Sequence, residues 1–367
     1  MKKETLSIVM FVIAACAAGA QVVGRVEYVE GFVEVVRNGE RARSVDAGFP
    51  IENLDCVRTG DAGSATVSFD RSSGLVGSIV IGPGASAVIR RDLVSGVTSN
   101  EVRLMAGEIG LKVSRLSGNA ASFRVRTPSA VLGVRGTEFV VATFNGSSLA
   151  ACGKGEVLCS PWSFASPAAA SSADAVSVVP GRMAELLESG SVKTADFPKG
   201  DFDANWKDVK GRWRAFQVDL ITADPVTFIN RIASQWENSS GKALEEAETL
   251  RGNKVLKKWF ASAKAGSGIG SRAEWVKERQ SVMKDLIALK PEMTLATIHW
   301  YRLRELVPLV PEAAMGKKLS NGQTVKAFIA RFTRVSAEFD SALALFDAAE
   351  KQYMLRNDGL SPFGTFN

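Results

Sequence analysis

A change in apolar spacing near residue 200 constrains this chain more than any other feature. From Phe202 onward, Phe202, Trp206, Val209, Trp213, Phe216 and Leu220 fall three or four positions apart, which lines them along one face of a helix. Before residue 190 no such period is sustained. Short apolar runs such as GSATVSFD, GSIVIGPGASAVIRRD and TEFVVATFN are instead bounded by Gly, Pro, Asn or Asp, as strands closed by turns are. In FRVRT, Phe123 and Val125 alternate with Arg124 and Arg126, the two-residue period of a half-buried strand. Asn38-Gly39 accepts positive φ at both positions and signals a hairpin.

The expected architecture is an all-β N-terminal domain, sandwich- or solenoid-like with many short antiparallel strands, followed by an all-α helical bundle. The 367 residues suffice for two cores. The expected boundaries are 1–20 for a signal peptide, 22–190 for the β domain, 191–201 for a linker, 202–357 for the bundle and 358–367 for a tail. Within the bundle, Asp224-Pro225 reads as a helix start, and further helices are expected at 242–264, 272–290, 293–307 and 322–356. Six of the seven tryptophans lie in this half and read as helix-packing residues.

The first twenty residues combine Lys2 and Lys3 with an apolar run from Leu6 to Ala15, the layout of a secretory signal. Two endings compete. Ala18-Gly19-Ala20 is a small-residue cleavage site, and Ile13-Ala14-Ala15-Cys16 is similar to a lipobox that would acylate Cys16. The strand pattern beginning at Val22 leaves little tether after a lipidated Cys16 and favours the first. Either way the protein is expected to be exported to the periplasm or cell envelope, touching the membrane only through the signal or a Cys16 lipid anchor. Cys56, Cys152 and Cys159 then remain, so at most one disulfide can form. Cys152 and Cys159 flank a hairpin-like GKGEVL and could bridge locally; three buried, apolar cysteines are the alternative.

Catalytic patterns are scarce. His299 is the one histidine, and no second His or paired Cys stands at metal-ligand spacing, so neither a metal nor a cofactor is expected. GSGIGS at 266–271 follows no strand and reads as a helix connection rather than a phosphate loop. The net charge of +6 is dispersed, without the basic stripe that nucleic acid binding needs. No enzyme is expected.

The stretch RTPSAVLGVRGTEFV interrupts apolar strands with two glycines and a charged pair. Gly133 and Gly136 can supply positive φ or close approach at a chain reversal, and Thr137 restarts a strand. Arg135 and Glu138 could neutralise each other or tie exposed backbone groups, fixing strand register. The competing use of Arg135 is to grip a carboxylate or sugar acid.

This segment resembles the signature of the FecR-type periplasmic domain family, in which a TP…A…RGT-x-F run recurs. LDCVRTGDAGSATVSF, LMAGEIGLKV and GKGEV resemble further segments of that family, so the resemblance spans residues 30–160. It implies an all-β domain outside the cytoplasmic membrane, with Arg135, Gly136, Thr137 and Glu138 as its structural motif. The best-known members regulate sigma factors by sensing a receptor, as in iron-dicitrate transport. Those regulators carry a cytoplasmic anti-sigma segment, whereas only Met1 to Thr5 precede the apolar run here.

The expected function is therefore a non-enzymatic envelope protein. Its β domain would be a binding or scaffold module and its helices a protein-interaction module, the partner being an unknown envelope protein or glycan. The alternatives are a periplasmic signalling component that contacts a membrane sensor, or a carbohydrate or peptidoglycan binder using Tyr28, Trp162 and Phe164.

Overall fold

A computed structural model describes residues 21–70, 75–94, 97–116, 122–134, 136–162 and 175–363. The signal segment, Cys16, Arg135 and Phe164 lie outside the described residues. Strands occupy the chain up to Asp196 and helices follow from Phe202.

The strands, numbered β1 to β17 in chain order, form two ladders. One runs β4 (Pro50–Glu52), β1 (Val22–Glu30), β6 (Ser64–Phe69), β7 (Leu75–Ile81), the second half of β9 (Val97–Leu116), β12 (Glu138–Phe144), β13 (Ser147–Lys154), β16 (Arg182–Leu186), β17 (Val192–Asp196). The other runs β3 (Glu40–Ala42), β2 (Val33–Arg37), β5 (Asp55–Thr59), β8 (Ser86–Val94), the first half of β9, β10 (Ser122–Arg126), β11 (Ala130–Val134), β14 (Val157–Pro161), β15 (Val176–Val178).

Two features depart from a set of short antiparallel strands. The β9–β10 pairing is parallel, and β9 is 20 residues long. It changes ladder at Gly107, whose φ of +79° lies in the region that L side chains avoid. Residues 191–201, expected to be a linker, contain β17, which extends the first ladder beside β16.

Both ladders point alternate residues into one core. Val26, Val67, Ile79 and Leu111 from the first join Val35, Val57, Leu104 and Leu132 from the second. In β6 the burial alternates strictly through Ala65, Val67 and Phe69, as a pleated strand with one wet face requires. Asn38 and Gly39 take φ of 51° and 81° in the tight β2–β3 hairpin.

Among the described residues five α-helices follow: α1 (Phe202–Ala223), α2 (Pro225–Gly252), α3 (Lys254–Lys264), α4 (Arg272–Leu306) and α5 (Val325–Arg356). Side chains close their starts: Asp201 accepts from the Ala204 N–H, and Ser271 with Glu274 makes a reciprocal capping box. The helix expected at 242–264 is divided at Asn253, which accepts from the amides of Val255 and Leu256 and starts α3. The break expected near Pro291 is absent; α4 continues through it. Trp236 lies at the centre of the helical core, with Phe332 and Phe339 edge-on at 5.4 and 5.0 Å.

Candidate functional site

Gly136, Thr137 and Glu138 stand where the chain passes from the second ladder to the first. Strand β11 belongs to the second ladder and β12, which follows Gly136 and Thr137, to the first. Gly136 takes a φ of +62° in open surroundings, whereas Gly133 lies mid-strand opposite Arg124 and Leu158. Thr137 is buried, and its carbonyl accepts from the Val113 N–H at 2.9 Å. Glu138 pairs with Lys112 on the neighbouring strand at 2.7 Å, a solvent-exposed contact. Upstream, Thr127 Oγ1 accepts from the Ala130 N–H at 3.0 Å and from Ser148 Oγ at 2.7 Å. Ser148 Oγ also lies 2.7 Å from Ser129 Oγ, so this buried knot ties the β10–β11 turn to β13 in the other ladder.

Cys56, Cys152 and Cys159 are buried free thiols, and the Cys152–Cys159 bridge is not formed. The strands explain why: Cys152 sits on β13 opposite Phe139 in the first ladder, and Cys159 on β14 opposite Leu132 in the second. Burial pushes the Cys159 thiol up to about 12. His299 is buried too, and burial together with Arg302 pulls its pKa down to about 4. Among the described residues no cluster of His, Cys, Asp and Glu could hold a metal. Tyr28 is exposed, but Trp162 is buried beneath the Arg126 guanidinium, 4.7 Å from its ring centre.

Charged chemistry concentrates where helices meet strands. Helix α5 crosses the second ladder with a row of charges that the apolar stripe of this helix did not reveal. Asp340 receives Arg58 and Arg41; Glu350 pairs with Arg90 at 2.7 Å; Lys351 reaches Glu52 at 2.6 Å and Asp55 at 3.2 Å. Asp340, Asp347 and Lys351 recur seven and then four positions apart. That spacing puts them on one helical face and was a readable sign of a polar contact surface. Helix α1 docks on the first ladder: Trp206 and Trp213 donate indole N–H bonds to Glu108 and Glu185 at 3.1 and 2.8 Å. Apolar contact between Trp206, Val209, Leu149 and Ala151 lies beneath those bonds.

Helix α4 completes the junction. Tyr301 Oη lies 2.6 Å from Ser86 Oγ, and Arg302 holds Glu188 through bonds of 2.5 and 2.8 Å. The Glu305 carboxylate accepts from the Asn145 N–H at 2.7 Å. Asn145 and Gly146, with φ of 49° and 81°, form the β12–β13 turn that presents this amide. Between these contacts opens a cleft of about 490 Å³, bounded by Arg58, Gly84, Phe144, Arg214, Tyr301 and Arg304 among others. Burial pushes Glu305, at its edge, up to about 7, against the opposing pull of the Asn145 amide and of Arg214, Arg302 and Arg304.

The family model described as FecR protein matches residues 55–158, from the start of β5 into β14, so this part of the chain is similar to that family. No curated protein matches the chain. Two solved structures, both described as a "putative anti-sigma factor" from Parabacteroides distasonis, are similar to parts of it. The first is 16% identical over 38% of this chain and 59% of its own, with a TM-score of 0.30. The second is 14% identical over 46% of this chain and 60% of its own, with a TM-score of 0.23. The chain therefore spans about six tenths of the length of each.

Proposed function

We propose that this protein is a non-enzymatic, exported binding module of the cell envelope, in which the FecR-type strands and the helices act as one body. The observation that carries this is the junction. Helices α1, α4 and α5 are each bonded to the strands by buried or half-buried polar groups, so a partner would meet a composite surface. We take the two ladders as the faces of a sandwich, a reading supported by their shared core. In-cell crosslinking followed by identification of attached molecules tests the proposal. One defined envelope protein or glycan is the expected product; a chain that crosslinks to nothing above a control protein overturns it.

The FecR match favours a second, narrower role: a signalling component that contacts a membrane sensor made by another chain. Deleting the gene should then shift a narrow set of transcripts. An unchanged transcriptome removes that role while leaving the binding module standing.

A further inference from the structure

The cleft at the junction is walled by guanidinium groups from three separate elements: Arg58 on β5, Arg214 on α1 and Arg304 on α4. Arg58 is committed, with bonds of 2.8 and 3.2 Å to Asp340. The other two are exposed and take part in none of the ion pairs among the described residues. Each is instead held over an aromatic ring. Arg214 lies 4.9 Å from the centre of Phe144, and Arg304 lies 4.6 Å from Trp300 and 5.8 Å from Tyr301. A ring beneath a guanidinium restrains the side chain without consuming its N–H donors, so less freedom is lost when an oxyanion accepts from them.

The charge balance supports an anion. Apart from the Arg58–Asp340 pair, the unpaired cations Arg214 and Arg304 face Asp61 and Glu305. With the Glu305 carboxyl held at about 7, that side of the balance is partly neutral near physiological pH. The remaining walls include Phe144, Val218 and Leu309, and about 490 Å³ lies within the range of small-molecule sites. We propose that this cleft binds a small organic oxyanion, a phosphate or carboxylate carried on a body the size of a sugar ring. The proposal goes beyond the envelope-partner role and is separable from it, since a small anion can bind whether or not a macromolecule docks.

The test is calorimetric titration of the full chain at low ionic strength with glucose 6-phosphate, glucuronate and uncharged glucose. One or both acids should bind saturably, and glucose should not; which acid binds separates the phosphate from the carboxylate source. Removing one charge-assisted hydrogen bond should weaken binding at least about tenfold in Arg304→Gln and in Arg214→Gln. Arg212→Gln removes the same charge from α1 outside the cleft and should leave binding intact. Val218→Trp, which fills the cleft without changing charge, should abolish binding while the melting curve stays cooperative. Binding of neither acid, equal binding of glucose, or losses in Arg212→Gln matching those of the cleft variants would each overturn the proposal.

Discussion

Arg58 and Asp340 stand 282 positions apart and meet through two hydrogen bonds of 2.8 and 3.2 Å, joining β5 to α5. Their side chains are only 12% and 11% exposed. Arg41 reaches the same carboxylate, and Glu34 lies 3.4 Å from Arg41 and 3.7 Å from Arg58. Arg43 also lies 3.9 Å from Glu34, so three cations and two anions share one small volume. Such a group adds little net stability over an apolar contact of equal size, but it is intolerant of losing one member.

Asp340→Ala should therefore destabilise the protein by about 3 kcal/mol, because Arg41 and Arg58 would be left beside Glu34 with no second carboxylate. Scanning calorimetry should show a lower melting temperature and the single transition separating into two, as the helices lose part of their hold on the strands. An unchanged single transition would mean that the apolar contacts beside the cluster carry the junction.

Gly107→Ala should also be costly, for a backbone reason. The added Cβ would stand 2.4 Å from Ala85 Cα and 2.7 Å from its nitrogen, at a φ of +79°. Neither strand can yield without breaking the β8–β9 ladder next to it, where Ser86 pairs with Ala106. A loss on the order of 3 kcal/mol is expected from strain and clash together. Urea denaturation measures it, and a midpoint equal to wild type would refute the role of this residue as the point where β9 changes ladder.

The division into strands and then helices was legible from periodicity, because Phe202 to Leu220 and the alternation in FRVRT differ in period. What joined the ladders was not. No local signal says that β9 stays extended for 20 residues while changing partners at Gly107, since a glycine inside an apolar run reads equally well as a turn. Likewise Val192–Asp196 is short and exposed, and only its pairing with β16 makes it a strand. Pro291 failed as a boundary because the residues around it, from Leu286 to Met293, are anchored in the helical core. The candidate site was the least visible. Arg58, Arg214 and Arg304 are far apart in sequence, and each alone reads as a solvated charge.

Cys56, Cys152 and Cys159 should all be alkylated by iodoacetamide in denaturant without prior reduction, and resist it in the native state. Burial raises all three thiols, which keeps the reactive thiolate scarce as well as inaccessible. Mass spectrometry of peptides reads the result directly. A Cys152–Cys159 linked peptide from the untreated protein would contradict the free thiols found on the two ladders.

The pH dependence of Glu305 links the fold to the cleft. Burial, opposed by the Asn145 amide and by Arg214, Arg302 and Arg304, raises its pKa from 4.5 to about 7. Below 4.5 the group is protonated whether the chain is folded or not, and its favourable contribution is complete. As pH rises from there to 7 the unfolded chain ionises first, so the contribution is progressively lost. Glu305→Gln keeps an oxygen for the Asn145 N–H and imitates the protonated form. The variant should match wild type at pH 4.5 and melt higher at pH 8, by about 2–4 °C for each kcal/mol recovered. Asp347, also raised to about 7 by burial and by Glu350, titrates in both proteins and cancels in the comparison. His299 cancels in the same way. The cleft should report the same event: glucuronate, whose own charge is constant here, should bind wild type more weakly at pH 8 than at pH 6. Binding to Glu305→Gln should be flat across that interval. A parallel fall in both proteins would assign the titration to another group and detach Glu305 from the cleft.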